Sequence, residues 1–290
     1  MSYRITTDTT CDLPASFYKE HNIPIVGLSY RLQSGEEYTE GTENNLGIKE
    51  FYDYLRNGGM ASTMQANAWQ FVETMEPIVA GGEDILHIAF SSGLSGTCNS
   101  CTQGAAELME KYPERRIVVV DSLCASLGEG LLVAYALHNQ KKGMSLDENV
   151  AWLNANILHL AHWFTVDDLM FLHRGGRVSK TSAVLGGLIG IKPILHVANE
   201  GHLILVSKKR GRKASIEELA NKAMTTCIGE LKDQPVFICH GDCEEEAQQL
   251  ADILREKAGV TEILINPVGT VIGSHAGPGV LAVFFLGHER

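Results

Sequence analysis

No apolar run in this chain reaches the length of a bilayer span. The longest candidate, Ser182 to Leu195, is interrupted by glycines, by Lys192 and by Pro193. The opening residues, Met1-Ser-Tyr-Arg-Ile-Thr, lack the charged-then-apolar order of a secretory signal. Stable membrane insertion is not expected, and the cytoplasm is the expected location. Positive charge is also scarce: 24 Lys and Arg stand against 35 Asp and Glu, a net charge of −11. No basic tract exceeds one short stretch, so nucleic acid is not an expected partner. The seven cysteines are odd in number and argue for free thiols. Cys98-Asn-Ser-Cys101 has C-x-x-C spacing but no second pair to complete a zinc site, and neither metal nor redox function is expected. A G-x-S-x-G elbow and a P-loop are both missing, as are internal repeats.

What is present is ordinary for a soluble globular chain: 44% hydrophobic and 20% charged over 290 residues, enough for two domains. The first half alternates strand and helix. Strands are expected at Tyr3–Thr7, Ile23–Leu32, Ile85–Phe90 and Arg116–Asp121. Helices are expected at 15–21, 48–57, 68–80, 99–111 and 131–140, with 61–67 as a polar loop. The apolar run Ile117-Val-Val-Val120 suits a parallel sheet covered on both faces. This pattern predicts an α/β fold: a three-layer α/β/α domain with a mainly parallel sheet over residues 1–160. Residues 161–290 read as a second α/β domain with a mixed, partly antiparallel sheet. Its hairpin would pair 192–197 with 203–206 across Asn199-Glu-Gly201.

The most informative segment is Ser91-Ser-Gly-Leu-Ser-Gly-Thr97, where a buried strand breaks into hydroxyls and glycines before a helix. Such a junction aims hydroxyls and free N–H groups into a crevice and suits an anion such as a carboxylate or phosphate. Ser and Gly also serve any turn, so the loop alone does not decide the matter. Asp8 and Asp121 each follow a strand. The position would also suit catalytic carboxylates, but no Ser-His-Asp order or metal triad accompanies them, so they are read as loop-fixing acceptors. A hydrolase or phosphotransferase using the loop with Asp8 or Asp121 is the enzyme alternative.

Six motifs stand in order along nearly the whole chain: Thr7-Asp-Thr-Thr-Cys-Asp-Leu-Pro14, Ser91–Thr97, Asp121-Ser-Leu-Cys-Ala-Ser-Leu-Gly-Glu-Gly130, Leu172-His-Arg-Gly-Gly-Arg-Val-Ser179, Ile191-Lys-Pro-Ile-Leu195 and Gly273-Ser-His-Ala-Gly-Pro-Gly279. Together they resemble the motifs of the DegV family of bacterial fatty-acid-binding proteins. The resemblance implies a binding subunit, not an enzyme by itself, that holds a long-chain fatty acid without a further cofactor. A separate fatty acid kinase subunit would phosphorylate the carboxylate. It further implies that Thr63, Ser95 and His275, with Ser92, surround that carboxylate. Where the family commonly has Thr-Ser-Gln-Pro-Ser, this chain has Thr63-Met-Gln-Ala-Asn67, which bears on ligand identity more than on ligand class.

Two stretches gain meaning from the resemblance. Gly186, Gly187 and Gly190 each lower helix propensity by roughly 1 kcal/mol; they either leave room for the acyl chain or serve close helix–sheet packing. Ser207-Lys-Lys-Arg-Gly-Arg-Lys213 concentrates five cations. By itself this is a solvated loop or a weak phosphate patch. Under the resemblance, Arg210 and Arg212, with Arg177, are candidates for docking the kinase or meeting nucleotide phosphates.

Overall fold

The computed structural model describes residues 2–179 and 190–290. In chain order its strands are β1 (Tyr3–Asp8), β2 (Ile25–Val26), β3 (Ser29–Leu32), β4 (Glu37–Thr39), β5 (Ala61–Met64), β6 (Asp84–Ala89) and β7 (Ile117–Asp121), then β8 (Leu160–Thr165), β9 (Ile191–Val197), β10 (Leu203–Arg210), β11 (Val236–His240), β12 (Ile263–Pro267) and β13 (Leu281–Leu286). The helices are α1 (Ala15–His21), α2 (Ile48–Arg56), α3 (Ala68–Ala80), α4 (Thr97–Lys111), α5 (Leu127–Lys141), α6 (Leu146–Asn156), α7 (Leu169–Arg174), α8 (Arg212–Thr226), α9 (Glu244–Ala258) and α10 (Thr270–Ala276).

The first sheet runs β2-β1-β6-β7, all parallel. Every residue of β6 is buried, because helices cover both faces. Ile85 packs with α3 and α4 through Phe71, Met75 and Leu108. Leu86 and Ile88 face α5 and α6 through Leu131 and Leu153. This is the three-layer arrangement that the doubly apolar strands imply.

The second sheet runs β10-β9-β8-β13-β11-β12; only β11 and β12 are parallel. Alternation along its central strands divides it cleanly. Trp163, Leu281, Val283 and Phe285 pack under α8 and α9. Phe164, Ala282 and Phe284 face the opposite way and join the core of the first sheet. One continuous apolar layer thus runs between the two sheets.

A third, small sheet, β4-β3-β5, is antiparallel. It corrects two expectations. The strand expected over residues 23–32 is two strands in different sheets: β2 pairs with β1, and β3 pairs with β4 and β5. Residues 61–64, expected as loop, form β5 against β3. Local propensity does not reveal so short a strand. Pairing with β3 holds it, with Thr63 opposite Tyr30 and Met64 opposite Ser29.

Candidate functional site

A cavity of about 210 Å³ lies at the carboxyl ends of β6 and β7, against the inner face of the second sheet. Crevices outside the carboxyl ends of parallel strands are the usual ligand position in α/β folds. Its walls are apolar: Phe90 and Leu94 from the first half, Phe164, Leu203 and Phe284 from the second sheet, Ile272 from α10. Alternation selects these side chains, since Phe164 lies opposite Ala282, and His162 opposite Phe284, on one face.

The polar side chains are few. Thr63 on β5 and His275 in the last turn of α10 meet at 2.7 Å, Thr63 Oγ1 to His275 Nε2. The imidazole is largely buried, and burial pushes its pKa down to about 4, with the Arg177 guanidinium adding to the effect. It is therefore neutral near pH 7. With the proton on Nε2, it donates to Thr63 Oγ1 and leaves the Thr63 hydroxyl hydrogen free for a ligand. Nδ1 is buried without a partner and lies against Gly175, where a Cβ would stand 2.1 Å from it. Only glycine at the end of α7 admits the ring in this position.

Arg177 completes this group. Its Nη2 donates to Leu94 O at 2.8 Å and its Nη1 to Gly175 O. The half-buried guanidinium loses some basicity to desolvation. Thr63, Arg177 and His275 also line a second cavity of about 450 Å³, which includes Arg174 and Ser274. These three side chains form the partition between an apolar chamber and a polar, arginine-bearing cleft. Arg177, expected at a partner surface, lines the same cavity as Thr63 and His275.

Ser95 also lines the cavity. Its Oγ accepts from Thr97 N at 3.2 Å and shares a 2.9 Å hydrogen bond with Thr97 Oγ1 at the start of α4. Gln65 packs on Gly96 and donates to Ser100 Oγ at 3.1 Å, which ties the end of β5 to the Ser/Gly loop. From the other half, His202 Nδ1–H donates to Gly93 O at 2.7 Å, and Ser91 Oγ donates to Gly201 O at 3.0 Å. The β9–β10 turn therefore braces the loop.

Other residues singled out from sequence lie elsewhere. Ser92 is exposed, is not among the cavity-lining residues, and gives its N–H to Asp121 Oδ1 at 3.1 Å. Gly190 is exposed at φ +77° and lies outside the cavity wall, and Gly186 and Gly187 fall outside the described residues. The basic stretch is not a loop: residues 207–210 continue β10 past a bulge, paired with β9. Arg210 is exposed there, but Arg212 is turned inward, with Nε 2.9 Å from Glu246 Oε2 and Nη1 3.6 Å from Asp167. Those ion pairs keep Arg212 from serving a partner surface.

The two aspartates act as acceptors for backbone. Asp8 takes Thr10 N at 3.0 Å and Phe90 N at 2.9 Å; Asp121 takes Ser92 N and Leu123 N. Among the departures from the family pattern, Asn67 caps α3 through a reciprocal pair with Gln70, whereas Met64 lines the cavity. Cys98 and Cys101 are buried thiols in α4; burial pushes Cys98 up to about 12 and Cys101 higher. A thiolate needed for redox chemistry is disfavoured there.

Sequence comparison agrees with this architecture. The DegV family profile, described as an uncharacterised protein of that family, matches residues 2–288. The chain belongs to the DegV family. A DegV domain-containing protein of Clostridium perfringens is 46% identical over 99% of this chain and 98% of its own length. A DegV protein of Thermus thermophilus, whose structure is described as showing fatty acid binding, shares 28% identity at a TM-score of 0.86, covering 99% of this chain and 100% of that one. The Fak B3 protein of the Streptococcus pneumoniae fatty acid kinase, solved with linoleic acid, has the same fold at 22% identity and a TM-score of 0.85, covering 99% of each chain.

Proposed function

We propose that this DegV protein binds one long-chain fatty acid and presents its carboxylate to a separate kinase subunit, which forms the acyl phosphate. The observation that carries this reading is the cavity itself: an apolar chamber whose partition toward a polar cleft is Thr63, His275 and Arg177. The alkyl tail lies among Phe164, Leu203 and Phe284, and each buried CH₂ contributes roughly 0.8 kcal/mol. The carboxylate meets the Thr63 hydroxyl, Ser95 and Arg177, because a buried carboxylate needs several donors, one of them preferably charged. A position at the partition leaves its outer oxygen facing the Arg174 cleft, where a phosphoryl donor has access. The fatty acid binding described for the Thermus thermophilus relative supports the ligand class. A role as enzyme by itself is the weaker reading, since Asp8 takes the N–H groups of Thr10 and Phe90 and Asp121 those of Ser92 and Leu123, which is how acceptors fix loops.

Native mass spectrometry of protein purified from cells, followed by solvent extraction and lipid analysis, tests the reading. About one fatty acid per chain is expected for one enclosed site. Protein that carries no lipid and takes up no added long-chain acid would refute it.

A further inference from the structure

A helix of seven residues such as α10 does not persist alone in water, yet α10 carries His275 to the partition. Its first turn is held by carboxylates from elsewhere in the chain. Gly269 N donates to Asp12 Oδ1 at 2.9 Å, and Thr270 donates to Glu40 Oε1 through its N–H and, at 3.0 Å, its hydroxyl. Val271 N reaches the same oxygen at 3.4 Å. Both carboxyls are buried. A Cβ on Gly269 would lie 2.2 Å from Glu40 Oε1 and 2.6 Å from Asp12 Oδ1, so the two acids close around that glycine. Asp12 Oδ2 accepts from the Ser126 hydroxyl, while Glu40 Oε2 is buried without a partner.

We propose that Glu40, paired with Asp12, is a positioning residue for the carboxylate site: it seats the first turn of α10 and so sets where His275 meets Thr63. The inference rests on the fatty-acid reading above. A rise of 1.5 Å per residue puts His275 about 7.5 Å along the axis from Thr270. A slip at the start of so short a rod is therefore transmitted to the imidazole. The groups that act on the pair are themselves acids: Asp8 and Glu129, the phenols Tyr18, Tyr30 and Tyr52, and the Cys239 thiol. Burial pushes Glu40 up to about 7 and Asp12 well above the usual carboxylate range. Near neutral pH the pair thus retains a proton, and losing it sets two negative charges against each other at Gly269.

The test compares wild type, Glu40→Gln and Glu40→Ala by calorimetric titration with oleate at about pH 6 and about pH 8.5. Glu40→Ala should bind about tenfold more weakly, the scale of a lost helix cap, while Glu40→Gln, which keeps the acceptor, should stay near wild type at the lower pH. Wild type should lose more affinity than Glu40→Gln on going to the higher pH. The His275 ring resonances of ligand-free protein should move in Glu40→Ala and stay in place in Glu40→Gln. Folded Glu40→Ala with wild-type affinity and unmoved resonances overturns the proposal, as does an identical pH dependence in wild type and Glu40→Gln. Should Glu40→Ala fail to fold, the pH comparison with Glu40→Gln decides alone. Wild type that takes up no oleate refutes the fatty-acid reading instead, and the ring resonances then decide the positioning role.

Discussion

At the scale of residues, the site is a set of close approaches that no single side chain explains. Thr63 and His275 are 212 positions apart and share a 2.7 Å hydrogen bond. Losing a hydrogen bond to a charged group costs about 1.5–3 kcal/mol, so Thr63→Ala should weaken oleate binding by roughly ten- to over a hundredfold, with Thr63→Ser largely retaining it. His275→Ala, which loses the neutral hydrogen bond that orients the Thr63 hydroxyl, should weaken binding by roughly two- to tenfold. Calorimetric titration measures this, and two folded alanine variants with wild-type affinity would place the carboxylate elsewhere. Gly175 gives a sharper prediction. The Cβ of Gly175→Ala would stand 2.1 Å from His275 Nδ1; the ring must leave, and affinity should fall as in His275→Ala. Burial holds His275 at about 4, below its ordinary value near 6.5. The unfolded chain therefore takes up that proton first as pH falls. Stability present above about pH 6.5 is lost between there and about pH 4, at up to about 1.4 kcal/mol for each pH unit crossed. His275→Gln should flatten this part of the melting-temperature profile, and an unchanged slope would show that the imidazole is already charged in the folded protein.

At the scale of elements, the sequence is most readable where local chemistry and tertiary demand coincide. Ile117–Val120 is apolar on both faces because helices cover both faces, and the run declares it. Asn199-Glu-Gly201 marks the β9–β10 turn, and Gly201 adopts φ +78° there. Legibility fails where a partner strand decides. Ser207–Arg210 looks like a solvated basic loop, yet it extends β10 because β9 supplies the pairing through a bulge. Thr63 looks like loop and lies on β5 because β3 pairs with it. Thr63, Ser95 and His275 are legible only through their motifs, since no local pattern places them together. The cavity-lining face of the second sheet is legible in principle by alternation, with His162 and Phe164 on β8 and Ala282 and Phe284 on β13. That face carries a prediction of its own. Ala282→Leu adds bulk to the chamber wall in a close-packed region. The bound acids should shift to shorter chains, read by mass spectrometry of extracted lipid. An unchanged chain-length distribution would mean that the tail runs past a different wall.

At the scale of the whole molecule, charge distribution is the feature left for a partner. The chain carries −11 overall, yet exposed Arg210 ends β10 and exposed Lys213 lies in the first turn of α8. Arg212 between them is neutralised internally by Glu246, and Lys209 pairs with Glu218 at 2.8 Å. The outward positive charge is thus narrower than the run of five suggests. A local positive patch on an acidic protein orients it toward an acidic surface during encounter, and such steering acts mainly on the association rate and fades with salt. Arg210 and Lys213 are absent from the cavity wall, so Arg210→Glu with Lys213→Glu should leave oleate affinity unchanged. The same variant should slow association with the kinase subunit and lower the rate of acyl-phosphate formation at low ionic strength, with the difference from wild type shrinking as salt rises. Stopped-flow association at two salt concentrations measures it. Equal association rates at low salt would remove this patch from the proposed docking surface.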